Sequence, residues 1–119
     1  MTKADAFLQD AYLCAQHERY DSSVSRAYYA MFRAALALME QYSYVRPARN
    51  HGRLKGALVR NMVEGRAILT HREVEQVESV YTLRIQADYE NQPVSAQDAR
   101  EILNTVRKSR RSTQQRTYE

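Results

Sequence analysis

The stretch SSVSRAYYAMFRAALALMEQY (residues 22–42) has the clearest helical pattern in the chain. Its apolar side chains recur every three or four residues and form one continuous stripe: Val24, Ala27, Tyr28, Met31, Ala35, Leu38, Met39 and Tyr42. This spacing predicts a helix over about residues 22–43 that buries one face in a core. A second face carries Arg26, Tyr29 and Arg33, so these arginines need not enter the core.

Four further segments with helical spacing surround this helix. They cover about residues 3–19, 51–65, 70–90 and 95–106. Thr70 and Glu73 have the spacing of a capping box at the start of the fourth helix, and Ser95 is placed to cap the fifth. Only 3 glycines and 2 prolines interrupt a composition rich in helix formers. The sequence therefore predicts an all-α, up-and-down bundle of four to five helices.

The excess positive charge lies at the C-terminal end of the 119-residue chain. Acidic and basic side chains balance over residues 1–106, and the net charge of +4 comes from RKSRRSTQQRTYE, residues 107–119. Because that stretch has almost no apolar residues, we expect one folded domain over residues 1–106 and a basic, disordered tail. Such a tail either contacts nucleic-acid phosphates or simply keeps the protein in solution.

The composition also argues against several classes of protein. No run of about 18 apolar residues is present, and acids stand where a signal peptide would need an apolar stretch. Cys14 is the single cysteine, which fits a reducing cytoplasm. Neither a metal-ligand pattern nor a glycine-rich phosphate loop occurs, so we expect no metal and no cofactor. The expectation is a cytoplasmic protein without a membrane span.

The stretch RIQADY (residues 84–89) places two opposite charges, Arg84 and Asp88, four residues apart on one helix face. Either the two form a partly buried structural salt bridge, or Asp88 orients Arg84 toward a phosphate. A second concentration of positive charge, residues 43–66, surrounds His51. A histidine there serves either as an acid or base near neutral pH or as an ordinary helix-start residue.

Taken together, SRAYYAMF (residues 25–32), NHG (50–52) and RIQADY (84–89) resemble the HEPN domains (higher eukaryotes and prokaryotes nucleotide-binding), in particular their small single-domain prokaryotic branch. In that branch a helix close to S-R-A-Y-Y-A-x-F precedes a His-Gly turn, and an R-x-x-A-D-Y segment lies on a later helix. The resemblance covers residues 3–106. It implies a helical bundle, usually a homodimer, that often forms a toxin–antitoxin pair with a minimal nucleotidyltransferase.

Active members of the family are metal-independent endoribonucleases, whose signature is an arginine followed shortly by a histidine, with two copies meeting to make one site. Arg84 matches that arginine, but Tyr89 stands where the histidine is expected, and a phenol with a pKa near 10 is a poor base at neutral pH. The candidate catalytic residues are therefore Arg84, Tyr89, Asp88 and His51. The candidate phosphate-binding residues are Arg26, Tyr29, Arg33 and Arg84.

Two functions stay open from the sequence. One is a toxin-like ribonuclease, and the other is a non-catalytic module that binds a nucleotide, RNA or the partner protein. For both, we expect Arg84 to point into a groove between two copies of the chain, free to bind an anion. A third interpretation is purely structural, with Arg84 and Asp88 only fixing the register of the helices. Tyr89 is in addition a candidate for nucleotidylation by the partner.

Overall fold

The computed structural model describes residues 2–42, 51–65 and 69–117, with side chains described as far as Arg111. Within these residues the chain forms five α-helices and no strand, which confirms the predicted all-α bundle of four to five helices. The helices are α1 (Lys3–Gln16), α2 (Tyr20–Gln41), α3 (His51–Ala57), α4 (His71–Tyr89) and α5 (Ala96–Thr117). The predicted loop over residues 43–50 lies outside the described residues.

The central helix is α2, which packs against α1, α4 and α5. Most of its predicted stripe is buried, from Val24 at one end to Met39 at the other. Ala30 and Ala34 lie outside that stripe and are buried as well, because α1 and α5 cover this side of α2. The core is thus wider than one helical face.

The apolar core extends along α2 in two main clusters. One surrounds Tyr28 and includes Val80 of α4 and Val106 of α5. The other surrounds Leu38 and includes Leu54 and Leu58. Burial of each leucine in the second cluster stabilises the fold by roughly 1.5–3 kcal/mol. Apolar packing thus stabilises both ends of the bundle, around Tyr28 at one end and Leu38 at the other.

The third predicted helix begins at His51 as expected, but its second half, Leu58–Gly65, is a π-helix. A Cβ atom at Gly65 would lie 3.0 Å from the carbonyl oxygen of Arg60, five residues earlier. This close approach explains why a glycine stands at the end of the π-helical segment.

The ends of several helices follow local signals. Thr70 and Glu73 form the predicted capping box, and the Ser95 hydroxyl accepts a hydrogen bond of 3.1 Å from the backbone N–H of Asp98. Helix α1 ends at Gln16 rather than near residue 19, because Glu18 adopts a left-handed backbone conformation with φ of 59°. Asp21, in the first turn of α2, accepts a 2.8 Å hydrogen bond from the backbone N–H of Val94 and so connects α2 with the segment before α5.

The basic segment expected to be disordered is instead helical as far as Thr117, as the continuation of α5. Arg110 Nε lies 3.3 Å from Asp5 Oδ1, and Arg110 Nη2 donates a 3.2 Å hydrogen bond to Thr2 Oγ1. This contact joins α5 to the start of α1, and arginine, lysine and glutamine are good helix formers. The composition of the segment was therefore a poor guide to its structure.

Over the described residues, none of the helices combines the length and the apolarity needed to cross a bilayer.

Candidate functional site

Arg84 lies on α4 and reaches across to α2. Its Nε atom lies 2.8 Å from Asp88 Oδ2, and its Nη2 atom donates a hydrogen bond of 3.1 Å to the Tyr29 hydroxyl. The Asp88 contact is a charge pair without hydrogen-bond geometry, since Nε has no hydrogen-bond acceptor among the described residues. Because Arg84 is bound within its own subunit, the expectation of a freely pointing side chain is wrong.

Three tyrosine rings surround the Arg84 guanidinium. Its central carbon lies 5.4 Å from the ring centre of Tyr28, 5.7 Å from that of Tyr29 and 5.3 Å from that of Tyr89. At these distances each ring attracts the cation by about 0.5–1 kcal/mol. The Arg84 side chain is 15% exposed, whereas Tyr89 is 70% exposed. Tyr89 therefore covers the guanidinium and presents the rest of its ring to solvent.

The charge state of Arg84 is fixed by these neighbours. Burial alone would lower the pKa of its guanidinium, but the hydrogen bond with the Tyr29 hydroxyl and the negative charge of Asp88 hold the pKa above its ordinary value. Asp88 Oδ2 also accepts a 3.3 Å hydrogen bond from Ser25 Oγ of α2. The Arg84–Asp88 pair is thus a partly buried salt bridge, a contact that both predicted alternatives contain.

His51 lies at the start of α3 and is held on both sides of its ring. Nε2 is 2.6 Å from Glu78 Oε1, and Nδ1 is 3.2 Å from the Tyr28 hydroxyl oxygen. The ring also stacks on Tyr81, with centres 3.8 Å apart and planes inclined by 5°. Since a carboxylate only accepts, Nε2–H donates to Glu78, while Nδ1 and the Tyr28 hydroxyl share the second hydrogen bond. Only 8% of the side chain is exposed.

Tyr28 connects His51 with Arg84. Its hydroxyl contacts His51, and its ring lies under the Arg84 guanidinium. The residue is buried, and this burial raises the pKa of its phenol to about 12, so it is a neutral phenol at physiological pH. The fold therefore brings His51 into the same aromatic cluster as Arg84, which the sequence did not show.

The three remaining phosphate-binding candidates are divided between two places. Tyr29 belongs to the Arg84 site, and Arg26 adjoins it, because Arg26 lies 5.9 Å from the ring centre of Phe7, which packs 5.7 Å from Tyr29. Arg33 is exposed about two turns further along α2, beside a depression that Lys3 and Arg110 also line.

Three residues of this site are not among the candidates predicted from the sequence: Tyr28, Glu78 and Tyr81. The spacing on α2 predicts Tyr28 only as part of the core stripe. A usable signal existed for Glu78, because it lies three residues before Tyr81 on α4, so the two side chains are neighbours on one side of the helix. No group of three or more His, Cys, Asp or Glu side chains able to hold a metal ion occurs in the described part of the chain.

The fold and the site define an all-α bundle in which a partly buried arginine of α4 contacts a group of tyrosines from α2 and α4. The HEPN domain family model matches residues 1–114, and the chain belongs to this family. The resemblance seen in SRAYYAMF and RIQADY is thereby confirmed, and the match also includes the basic part of α5 as far as residue 114. No curated protein matches the chain in sequence.

Proposed function

We propose that this HEPN protein binds a nucleotide, either free or within RNA, at the surface formed by Arg84 and Tyr89. The observation that carries the proposal is the exposed Tyr89 ring, 5.3 Å from the Arg84 guanidinium carbon. An exposed aromatic ring stacks on a nucleobase, with a gain of about 1–3 kcal/mol per base. A guanidinium group binds phosphate oxygens. The pair therefore suits the two chemical halves of a nucleotide.

The internal contacts of Arg84 support this role. Asp88 and Tyr29 hold the guanidinium through Nε and Nη2, and no described acceptor contacts Nη1. A side chain that is already ordered loses less conformational entropy when it binds a ligand. Arg26 is exposed beside Phe7 and adds a second positive charge next to Tyr29. The structural salt bridge thus orients a cation for a phosphate.

The test compares Tyr89→Ala with Tyr89→Phe. Binding of ATP, GTP and a short single-stranded RNA is measured by calorimetry or fluorescence anisotropy. Loss of the stacking ring is expected to weaken binding by about 5- to 150-fold, at 1.4 kcal/mol per tenfold, whereas phenylalanine retains the affinity. Leu13→Ala, which also removes an exposed apolar side chain, is the matched control. Wild-type affinity in Tyr89→Ala refutes the proposed site.

We also propose that the protein is a cytoplasmic homodimer and the toxin-like component of a toxin–antitoxin pair with a minimal nucleotidyltransferase. Family membership supports this assignment, and the exposed Tyr89 hydroxyl is accessible to such an enzyme. The enzyme would transfer a nucleotidyl group from a nucleoside triphosphate to the Tyr89 oxygen and release pyrophosphate. Light scattering tests the dimer. Mass spectrometry of protein co-expressed with a nucleotidyltransferase tests the modification, and an unmodified Tyr89 would refute it.

A second candidate function is metal-independent cleavage of RNA. The observation in its favour is that His51, paired with Glu78, shares Tyr28 with Arg84. Arg84 would stabilise the negative charge that develops on the phosphate, and Tyr89 would donate a proton to the leaving oxygen. Both ring nitrogens of His51 are already in use, so His51 acts as the base only if it gives up its contact with Tyr28 or with Glu78.

Incubation of RNA with excess protein in EDTA tests this second function. Cleavage that disappears in Tyr89→Phe and persists in Leu13→Ala would establish it. Intact RNA after prolonged incubation would exclude cleavage and leave the binding proposal unaffected.

A further inference from the structure

The C-terminal part of α5 carries a second positively charged surface, remote in sequence from Arg84. Arg107, Lys108 and Arg111 are exposed there, and none of them forms an ion pair with a described residue. Positions three and four residues apart share one side of a helix, so Lys108 and Arg107 both neighbour Arg111. The only hydrogen bond that the described residues give this group joins Arg107 to Asn104, a neutral partner, at 3.3 Å. No residue that the structure describes therefore compensates the positive charge of this surface.

This surface is presented on an anchored helix. Val106, immediately before it, is 1% exposed and packs in the core beside α2. Arg110, within it, turns the other way and bridges to Asp5 and Thr2 of α1. The Asp5 carboxyl has its pKa lowered, first by the hydrogen bond from Thr2 and further by Arg110, so it remains ionised as the partner of Arg110. Arg110 thus holds the helix against α1, and the three other cations of this segment, Arg107, Lys108 and Arg111, face solvent.

We propose that Arg107, Lys108 and Arg111 form a binding surface for the phosphate backbone of RNA. Arg107 and Arg111 are separated by about 6 Å along the helix axis, a spacing comparable with that of neighbouring phosphates on a nucleic-acid strand. No apolar side chain occurs from residue 107 to residue 117, which disfavours insertion of this helix into a membrane. The surface is separate from the Arg84 site, and a mononucleotide is too short to need it.

Salt dependence measures the number of phosphate contacts. Each phosphate neutralised on a single strand contributes about −0.7 to the slope of log affinity against log salt concentration, so three cations contribute about −2. With a slope difference of about 2, a fourfold rise in salt concentration should reduce the RNA affinity of the wild type by a factor roughly 20 times larger than it reduces that of a variant without the three charges.

The test uses the full chain with Arg107→Gln, Lys108→Gln and Arg111→Gln combined, because glutamine keeps the helix propensity and removes the charge. Binding of a fluorescent single-stranded RNA is followed by anisotropy between about 50 and 200 mM salt, the range over which such contacts weaken strongly. The triple variant is expected to lower the magnitude of the slope by about 2 and to leave ATP affinity unchanged. Lys108→Gln alone is expected to lower it by about 0.7.

A triple variant with Arg19→Gln, Arg60→Gln and Arg72→Gln is the matched control, since these three exposed arginines lie outside α5 and their removal changes the net charge equally. An unchanged slope in the α5 variant, or an equal change in the control, overturns the proposal. Complete displacement of the RNA by polyglutamate at equal charge concentration also overturns it, because the surface then prefers an acidic protein. If Tyr89→Ala loses ATP binding but the dependence of its RNA affinity on salt equals that of the wild type, the Arg84 site and the α5 surface act separately. Failure of one proposal can then be told from failure of the other.

Discussion

Replacement of Arg84 by methionine tests whether the aromatic cluster depends on its central cation. Methionine keeps a flexible apolar stem of similar length but lacks the charge and the donors. The substitution removes the 3.1 Å hydrogen bond to Tyr29, the 2.8 Å ion pair with Asp88 and the attraction to three tyrosine rings. We expect the free energy of unfolding to fall, with a size that follows from these contacts.

A hydrogen bond that involves a charged group contributes about 1.5–3 kcal/mol, and each cation–aromatic contact about 0.5–1 kcal/mol. The ion pair is only partly buried, with 15% of the Arg84 side chain and 27% of the Asp88 side chain exposed, and is therefore worth less than a fully buried pair. Since such terms in one cluster are not additive, a total loss of about 2–4 kcal/mol is expected. Arg84→Lys keeps the charge but loses the planar fork, and is expected to cost about half as much.

Urea unfolding followed by far-UV circular dichroism measures these changes. Asp88→Asn supplies the control, because it removes the charge partner and leaves the side-chain volume and the hydrogen bond from Ser25 in place. The double variant with Arg84→Met is expected to be less destabilised than the sum of the two single variants, by about 1 kcal/mol. A loss below about 0.5 kcal/mol in Arg84→Met, or strictly additive effects, would show that the guanidinium does not hold the cluster together.

Three further outcomes are expected. In the folded protein the Tyr28 phenol has a pKa of about 12, whereas in the unfolded chain it loses its proton near pH 10. The free energy of unfolding should therefore fall as the pH rises from 10 to 12. Denaturant midpoints of Tyr28→Phe, measured over this pH range, should lack this part of the decline. The pKa of Asp5 is lowered from 3.8, chiefly by the Thr2 hydrogen bond, so the ionised carboxylate stabilises the fold at neutral pH and this stabilisation is lost as the pH falls below 3.8. Thermal unfolding of Asp5→Asn should therefore be less sensitive to acid than that of the wild type. Equal sensitivity would contradict the Asp5 contacts. Leu54 has 0% exposure, so Leu54→Ala should lower the free energy of unfolding in urea by about 2–5 kcal/mol. For the exposed Leu13→Ala we expect a loss below about 1 kcal/mol, and an equally small loss in Leu54→Ala would place Leu54 outside the core.

Local patterns predicted the parts of the structure that depend on near neighbours in sequence. The stripe of α2, the capping box of Thr70 and Glu73, and the pairing of Arg84 with Asp88 all arise within one helix or at its end. These features follow from helical spacing and from backbone donors that need acceptors, so they are visible in one sequence.

The parts that sequence reasoning missed depend on contacts between distant residues. Arg84 and Tyr29 are 55 residues apart, and His51 and Glu78 are 27 residues apart. No periodicity specifies which side chains meet across two helices. The helical C-terminal segment is a similar case, because its composition resembles that of a disordered chain while Arg110 finds Asp5 105 residues earlier. Tertiary contacts there overrode composition.

The different surroundings of His51 and Arg84 favour binding over catalysis at this site. A general base has to release and take up a proton at an atom that reaches the substrate, but both nitrogens of His51 are occupied by Glu78 and Tyr28 in a side chain only 8% exposed. Binding requires only an oriented cation and an accessible ring, which Arg84 and Tyr89 supply. Because Tyr89 is 70% exposed and contributes a single contact to the cluster, its substitution perturbs the fold little while removing the stacking ring, whereas substitution of Arg84 changes the fold and the site together.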